Sequence, residues 1–354
     1  MGNRYVRQLN KPRTIFPDWL QGGDEHRLKP KVVAQFPLHP DAVKILTDVA
    51  DLKMGPFPSR EAFMAEMRDA DALIGAVMVD EQFLHHASKL KVNACFGVGY
   101  QDRTDVEACS RHGVYVTYTP GVLSAAVADL TMGLILCLAR GILSADRYVR
   151  TSWAAGGHGL PLGLDLEDRT LGILGLGRIG SEVAKRAKAF GMSIIYYDTV
   201  RNWKAEEEGL ARYVGLQELL ASSDFVTVHV PLTTETAKLI GERELRAMKR
   251  TAYLINTSRG GVVDEEALCK ALAEGWIAGA GLDVFAKEPL PLNSPLVKME
   301  NVVLTPHIGS AAQETRRRMA LMNATDVVRV LRGEEPLNLI PEQRKSPPVR
   351  VSRL

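Results

Sequence analysis

The sequence predicts an α/β protein made of two doubly wound parallel-sheet units. Two observations lead to this fold class. Strand-like apolar runs alternate with helix-like segments in two separate series, and a glycine-rich dinucleotide motif opens the second series. Alternation of this kind is typical of parallel sheets covered by helices. At 354 residues, the chain is long enough for two such domains.

The first series follows a polar, proline-interrupted stretch, residues 1–30, which we expect to be a loosely ordered extension. Strand-like runs then occur at 31–36, 72–78, 90–96 and 114–118, and helix-like segments occur at about 40–49, 59–69, 80–88 and 104–112. Continuous apolar runs of this length indicate strands buried on both faces. The series therefore predicts one parallel sheet with helices on its faces.

Residues 121–153 join the two series and predict one long helix, 121–143, with Ser124 as its N-cap, followed by an arm. The apolar residues cover more than one helix face, which core packing explains but which also suits a subunit interface. We favour the interface, and hence a homodimer. The most apolar stretch, residues 130–139, is far shorter than the roughly 20 residues that span a bilayer, so no membrane association is expected.

The second series opens with a dinucleotide-binding motif in residues 170–198. An apolar strand leads into Gly175, Gly177 and Gly180, which have the G-x-G-x-x-G spacing, and an amphipathic helix follows. The first glycine permits a tight turn, the second lets the backbone approach a pyrophosphate, and the third lets helix and strand pack closely. The start of the helix supplies free N–H groups and a positive dipole for phosphates.

An acidic residue, Asp198, ends the second strand of this motif. A carboxylate at that place accepts hydrogen bonds from ribose hydroxyls and repels a 2′-phosphate. The motif therefore predicts NAD as the cofactor, with NADP less favoured. Arg201 is the opposing feature, because a nearby arginine can accept the 2′-phosphate.

Three polar residues follow successive apolar runs later in the second series. Arg259, Glu288 and His307 each stand at or just beyond the end of a predicted buried strand. In open α/β sheets the carboxyl ends of the strands line the ligand crevice. A guanidinium, a carboxylate and an imidazole can hold a carboxylated substrate and move a proton near neutral pH. Taken singly, Arg259 is explained equally well as a surface ion, Glu288 as a turn residue and His307 as a core histidine. Their occurrence at successive strand ends favours an active site.

Composition narrows the possible partners. Hydrophobic residues at 46%, charged residues at 24% and a net charge of +2 are ordinary for a globular protein and give no indication of nucleic-acid binding. The four cysteines are scattered without metal-ligand spacing, which indicates free thiols and a cytoplasmic location. The basic residues of the last segment, 341–354, are expected to lie in a solvated tail.

Together these motifs resemble the D-isomer-specific 2-hydroxyacid dehydrogenases, and within that family they look closest to the glyoxylate/hydroxypyruvate reductases. The resemblance covers roughly residues 31–340 and rests on GLGRIG with Asp198, HVPLTTET, LINTSRGGVVDEEAL, GLDVFAKEPL and TPHIGS. It implies a small 2-hydroxy or 2-keto acid as substrate.

The resemblance also implies a domain division. The substrate domain, flavodoxin-like, would consist of residues 31–120 plus 311–340. A Rossmann NAD-binding domain, residues 121–310, would be inserted between these two parts, and the active site would lie in the cleft between the domains. Residues 341–354 remain as the tail.

Site residues follow from the same resemblance. Arg259, Glu288 and His307 correspond to the catalytic arginine, glutamate and histidine, and Val98 and Gly99 form, with Arg259, the grip on the substrate carboxylate. The implied cofactor contacts are Gly175, Gly177, Arg178, Ile179, Gly180, Asp198, His229, Val230, Pro231, Thr257, Ser258, Asp283, His307 and Gly309. The histidine is the natural proton donor, and the cofactor carries the redox chemistry, so no metal is expected.

Substrate identity depends on less specific features. Tyr118 replaces the usual asparagine before Thr-Pro, and the segment 101–106 is one residue longer than the family pattern. Residues 78–80 carry no arginine where phosphoglycerate dehydrogenases tend to have one, and Arg103 is expected at the surface. We therefore predict an unphosphorylated keto acid. A 3-phosphoglycerate dehydrogenase-like enzyme and a non-catalytic NAD-sensing regulatory protein are the alternatives.

Overall fold

The computed structural model describes residues 29–156 and 159–348. These residues form two sheets, of five and seven strands, and the strands within each sheet run parallel. The predicted fold class, two doubly wound α/β units, is confirmed. The predicted extension, residues 1–30, lies almost wholly outside the described residues.

The first sheet has the strand order β2-β1-β3-β4-β5. Its strands are β1 (Lys31–Ala34), β2 (Asp51–Met54), β3 (Ala72–Gly75), β4 (Val92–Cys95) and β5 (Tyr115–Thr117), and the helices between them are α1 (Pro40–Thr47), α2 (Arg60–Met67), α3 (Glu81–His86) and α4 (Val106–Arg111). This is the flavodoxin-like order. β2 is not among the predicted strands, because it is an edge strand whose Asp51 and Lys53 face solvent.

The second sheet has the strand order β12-β11-β10-β9-β6-β7-β8. Its strands are β6 (Thr170–Leu174), β7 (Ser193–Tyr197), β8 (Arg212–Tyr213), β9 (Phe225–Val228), β10 (Tyr253–Asn256), β11 (Gly279–Leu282) and β12 (Val302–Leu304). The helices after β6 are α7 (Arg178–Ala189), α8 (Trp203–Glu207), α9 (Leu216–Ser222), α10 (Glu242–Ala247) and α11 (Glu265–Ala273). Strand order reverses between β6 and β9. That switch point is where a Rossmann sheet opens a crevice for a ligand.

The segment that joins the two sheets forms two helices rather than one. α5 (Ser124–Arg140) ends at Gly141, whose φ of +60° is a left-handed conformation that glycine adopts easily, and α6 (Ile142–Thr151) follows. α5 buries Leu134 and Ile135 in the same core cluster as Ile173. None of the residues of α6 is buried. Core packing therefore accounts for α5, and the exposed apolar side chains lie on α6.

No single helix in the described segments, residues 29–156 and 159–348, is long and apolar enough to cross a bilayer. α5 and α6 reach that length only as a pair, which is bent by 59°. α5 packs into the core through Leu134 and Ile135, as described above.

The chain returns to the first sheet at its end. α12 (Gln313–Leu331) shares a core cluster with β1, because Ala324 and Val327 pack with Val32. The last helix, α13 (Pro341–Lys345), falls in the segment expected to be a solvated tail. Its basic residues, Arg344 and Lys345, are exposed as expected, but these five residues form an ordered helix. Gln343 is 1% exposed, and its side chain binds backbone groups beside and in β5, so this helix is part of the folded unit.

Candidate active site

A cleft of about 530 Å³ lies between the two units, at the carboxyl ends of their strands. Its lining contains most of the predicted site residues: Val98, Gly99, Gly177, Arg178, Ile179, His229, Val230, Pro231, Thr257, Ser258, Arg259, Asp283, His307 and Gly309. Four predicted site residues are not part of the lining: Gly175, Gly180, Asp198 and Glu288. The two glycines form the turn before α7, and Asp198 binds Leu176 in that turn. Glu288 contacts His307, which does line the cleft.

The glycine motif forms the turn that the sequence predicts. Gly175 has a φ of +93°, and a Cβ at Gly180 would lie 2.1 Å from the carbonyl oxygen of Gly175, so both positions require glycine. Gly177 is the N-cap of α7 and supplies no side-chain cap, so the first N–H groups of this helix stay available. A Cβ at Gly177 would meet no described atom within 4 Å, which leaves space above the helix start.

Asp198 holds the glycine turn against the end of β7. Its Oδ2 accepts a hydrogen bond of 2.8 Å from the backbone N–H of Leu176, and its Oδ1 accepts one of 3.3 Å from that of Val200. Its neighbour Arg201 is occupied elsewhere. The Arg201 guanidinium pairs with Glu206 and lies 3.9 Å from the ring centre of Trp203. Asp198 is therefore the charge that lies against the glycine turn, whereas the Arg201 guanidinium has an acid partner of its own.

His307 and Glu288 form a direct pair. His307 Nδ1 lies 2.7 Å from Glu288 Oε2, and the other carboxylate oxygen accepts a hydrogen bond of 3.2 Å from the backbone N–H of Phe285. Burial opposes ionisation of Glu288, but the contact with His307 outweighs it, and the pKa of the carboxyl is held below its usual value. An ionised carboxylate makes Nδ1 the donor in this bond. Nε2 has no hydrogen-bond partner within the described chain.

Asp283 shapes the loop that carries His307. Its carboxylate is 1% exposed and accepts hydrogen bonds of 2.6 Å from the Thr305 hydroxyl and 2.8 Å from the backbone N–H groups of Ile308 and Gly309. His307 itself has a φ of +54°, an uncommon conformation for a residue with a side chain. The buried Asp283 carboxylate thus holds the loop through hydrogen bonds from residues on both sides of His307.

Arg259 reaches from the end of β10 to the loop that follows β4. Its Nη2 donates to the carbonyl oxygen of Gly99 at 3.0 Å, its Nη1 to that of Ser258 at 2.9 Å, and its Nε to Oδ2 of Asp102 at 3.1 Å. A Cβ at Gly99 would lie 1.9 Å from Nη2, so glycine is needed for this approach. The structure thereby links the predicted grip at Gly99 with the predicted catalytic arginine.

His229 is a buried histidine at the end of β9. Its Nε2 lies 2.9 Å from the Thr227 hydroxyl, and its Nδ1 is buried with no hydrogen-bond partner among the described residues. Burial lowers the pKa of the imidazole to about 3, so the ring is neutral at ordinary pH. The unpartnered nitrogen beside the glycine turn is consistent with contact to a polar ligand in the cleft.

Sequence reasoning missed three charged residues of this cleft: Asp102, Arg103 and Arg316. Arg103 was expected at the surface, and that expectation is wrong, since its Nη1 donates to the carbonyl oxygen of Ala76 at 3.2 Å from within the lining. Arg316 begins the run of three arginines in α12, and only this member lines the cleft. Its guanidinium lies 5.5 Å from the ring centre of Phe96 and pairs with no acid among the described residues, and burial lowers its pKa.

The chain matches a known family over half of its length. The family model described as D-isomer specific 2-hydroxyacid dehydrogenase, NAD binding domain, matches residues 132–309. A glyoxylate reductase of Korarchaeum cryptofilum is 51% identical over 290 residues, which are 81% of this chain and 87% of that protein. A glyoxylate reductase of Thermococcus litoralis is 48% identical over 323 residues, which are 88% of this chain and 97% of that protein.

A solved structure gives the same result. The NADPH-dependent glyoxylate/hydroxypyruvate reductase of Sinorhizobium meliloti, in complex with NADP and malonate, has a TM-score of 0.81 and 33% identity, covering 92% of this chain and 100% of that one. Sequence and fold therefore agree over nearly the whole described structure. The chain belongs to the D-isomer specific 2-hydroxyacid dehydrogenases, and it is an oxidoreductase of 2-hydroxy acids.

Proposed function

We propose that this dehydrogenase works as a reductase of a small, unphosphorylated 2-keto acid, glyoxylate or hydroxypyruvate, with NADH as the preferred donor. The observation that carries the proposal is a convergence in one cleft. The Arg259 guanidinium, the paired His307 imidazole and the open start of α7 all face the same space. The relatives from Korarchaeum cryptofilum and Thermococcus litoralis are named glyoxylate reductases, which supports this substrate class.

Residues of the second unit fit a nicotinamide dinucleotide. The uncapped N–H groups of α7 and the space at Gly177 suit a pyrophosphate, and Asp198 suits a ribose hydroxyl. The remaining proposed contacts line the cleft: Arg178, Ile179, His229, Val230, Pro231, Thr257, Ser258, Asp283, His307 and Gly309. When bound, the cofactor supplies the hydride that reduces the keto carbon.

His307 is the proposed proton donor. Reduction of a keto group develops negative charge on its oxygen, and a donor placed there lowers the barrier. Glu288 accepts a hydrogen bond from Nδ1, which fixes the tautomer and leaves Nε2 for the substrate. The pair therefore orients the group that must give up a proton.

Arg259 is the proposed anchor for the substrate. A guanidinium has five N–H donors in a planar fork, and here three of them are used by Gly99, Ser258 and Asp102. Two donors remain for substrate oxygens, enough for the carboxylate or for one oxygen each of carboxylate and carbonyl. The backbone at Val98 and Gly99 completes the proposed grip.

The two units then have separate tasks. We assign substrate binding to residues 31–120 and 311–340, because α12 packs on the first sheet. We assign cofactor binding to residues 121–310, which contain the glycine motif and the strand ends described above. α13 belongs with the substrate-binding unit, which it joins through Gln343.

We expect glyoxylate and hydroxypyruvate to be reduced with kcat/KM at least tenfold higher than 3-phosphohydroxypyruvate. A phosphorylated substrate is the second candidate, because Arg103 and Arg316 both line the cleft. Arg103 is already bound to the carbonyl oxygen of Ala76 and lies 3.6 Å from Asp102, so it is poorly available to a phosphate. Steady-state kinetics with these keto acids and with pyruvate decide the matter. A preference for the phosphorylated acid would contradict the proposal.

We expect kcat/KM with NADH to exceed that with NADPH by tenfold or more. Asp198→Asn should narrow this preference, because it removes the charge that repels a 2′-phosphate while keeping an oxygen for the Leu176 N–H. Asp48→Asn, an exposed acid at the end of α1, serves as the control. The Sinorhizobium meliloti relative is NADPH-dependent, so use of NADPH occurs among related proteins. Higher wild-type kcat/KM with NADPH would refute the preference.

We also propose that the protein is a homodimer. α6 and the segment after it expose several large apolar side chains: Ile142, Leu143, Val149, Trp153, Leu160 and Leu162. An apolar surface of this kind is typical of an interface. Light scattering on a size-exclusion column at micromolar protein should give twice the 38.9 kDa of one chain. A single-chain mass under these conditions would refute the dimer, and Leu143→Glu with Val149→Glu should shift a true dimer toward monomer.

The cysteines support a cytoplasmic location, which we propose on that ground. All four are free thiols in the structure. Burial raises the pKa of Cys95 to about 11 and that of Cys109 to about 12, which makes both thiols poorly reactive. Unreactive free thiols suit a reducing compartment.

A further inference from the structure

Asp102 makes the one charged contact of the proposed anchor Arg259 among the described residues. Its Oδ2 lies 3.1 Å from Nε of Arg259, and the two side chains are only 17% and 20% exposed. The two residues come from different units, since Asp102 lies in the loop after β4 and Arg259 follows β10. The contact therefore crosses the cleft.

The loop that carries Asp102 is itself held in place. Arg103 donates its backbone N–H to the carbonyl oxygen of Tyr100 at 3.0 Å, and Val79 donates to that of Arg103 at 2.8 Å. Thr104, the next residue, forms a bridge with Val79 and is buried. The carboxylate of Asp102 is thus presented from a fixed backbone rather than from a free surface loop.

Contact with a fixed carboxylate restricts the orientation of a long side chain such as that of Arg259. Arginine has several rotatable bonds, and its fork can bind two oxygens in one plane only if the guanidinium plane is defined. The carbonyl groups of Gly99 and Ser258 engage the two terminal nitrogens, and Asp102 engages the third nitrogen. With all three nitrogens held, the two free N–H donors keep one orientation in the cleft.

We propose that Asp102 is a positioning residue for the reaction: it holds the Arg259 guanidinium across the cleft so that its two free N–H donors are preset for the substrate carboxylate and carbonyl. This inference rests on the proposed role of Arg259 in keto acid reduction. Asp102 acts through Arg259, and its own carboxylate is not required to touch the substrate.

The test compares Asp102→Asn and Asp102→Ala with wild type in steady-state kinetics on hydroxypyruvate and glyoxylate. Asp102→Ala should lower kcat/KM by about 10- to 100-fold, with a raised KM, because misplacing a binding group by an ångström costs on this scale. Asp102→Asn keeps an oxygen acceptor and should lose less. Glu107→Gln, an exposed acid on α4, removes the same charge nearby and should leave both constants unchanged.

Two readouts separate positioning from a general loss of structure. Thermal unfolding and NADH titration should give near wild-type values for Asp102→Asn, because neither depends on the Arg259 contact. In an Arg259→Lys background, Asp102→Ala should cost less than threefold, because lysine has no planar fork to orient. Persistence of the full loss in that background, or wild-type kcat/KM in Asp102→Ala, would overturn the inference.

Failure of the proposed function has a different signature. In that case wild-type enzyme itself would reduce none of the 2-keto acids, and the role of Asp102 in that reaction would fall with it. If wild type is active and Asp102→Ala matches it, only the positioning role is refuted.

Discussion

Replacing His307 with alanine is expected to lower kcat by about 10²–10⁴-fold, the usual contribution of general acid catalysis. The imidazole lines the cleft, its Nδ1 lies 2.7 Å from Glu288 Oε2, and His229 is the one other histidine among the described lining residues. His229 is no substitute, because burial lowers its pKa to about 3, and the neutral ring lacks the acidic proton of an imidazolium. Single-turnover and steady-state kinetics with NADH measure the loss.

Binding controls make the His307 result specific. NADH titration of His307→Ala should give a dissociation constant within a few-fold of wild type, since the glycine turn and Asp198 are untouched. His85→Ala removes an imidazole that is 72% exposed on α3 and should have no effect. Turnover of His307→Ala close to wild type on the best substrate would end its assignment as proton donor.

The second large effect is expected for Arg259→Ala, which should lower kcat/KM by about 10²–10³-fold or more. In its proposed role the guanidinium binds the substrate carboxylate throughout and the carbonyl oxygen as charge develops, so KM should rise and kcat should fall together. Removal of the guanidinium also leaves Asp102 without its partner across the cleft. Steady-state kinetics over a wide range of substrate concentration separate the two constants.

An arginine elsewhere provides the matched control for Arg259. Arg317 lies on α12, pairs with Asp41 and is 51% exposed, so Arg317→Ala changes the net charge equally without touching the cleft. Unchanged kinetics in this variant show that charge alone is not responsible. A rise in KM without any fall in kcat for Arg259→Ala would mean that this residue only binds substrate and does not assist the reaction.

The sequence identified those parts of the site that stand on regular elements. Parallel strands bring their carboxyl ends to one edge, so Arg259 and His307 could be assigned to one cleft from apolar runs alone. The glycine spacing likewise predicts the tight turn at Gly175, where the observed φ of +93° suits glycine. These features depend on local periodicity and on topology, both of which the sequence displays.

Loop-borne charges could not be assigned in this way. Asp102 and Arg103 sit in a segment with no periodic pattern, and their direction depends on backbone contacts with Val79 and Tyr100 that are distant from any motif. Arg316 is one of three successive arginines, and only the packing of α12 on the first sheet determines which of them faces the cleft.

Two elements differ from the prediction for related reasons. β2 is an edge strand, and its charged Asp51 and Lys53 hide the apolar signal that buried strands give. The helix at Pro341–Lys345 is too short and polar to stand out, and it is held mainly by the tertiary contact of Gln343 with β5. In both cases tertiary context decides the structure and local propensity does not.

The most direct test of the account is a product analysis of hydroxypyruvate reduction by the wild-type enzyme. Purified protein is mixed with NADH and hydroxypyruvate, NADH consumption is followed by absorbance, and the glycerate formed is resolved by chiral chromatography. We predict that one glycerate forms per NADH oxidised and that all of it is D-glycerate. The Arg259→Ala, His307→Ala double variant should form NAD and glycerate far more slowly than wild type. Formation of L-glycerate, or no NADH oxidation with either hydroxypyruvate or glyoxylate, would contradict the proposed reaction.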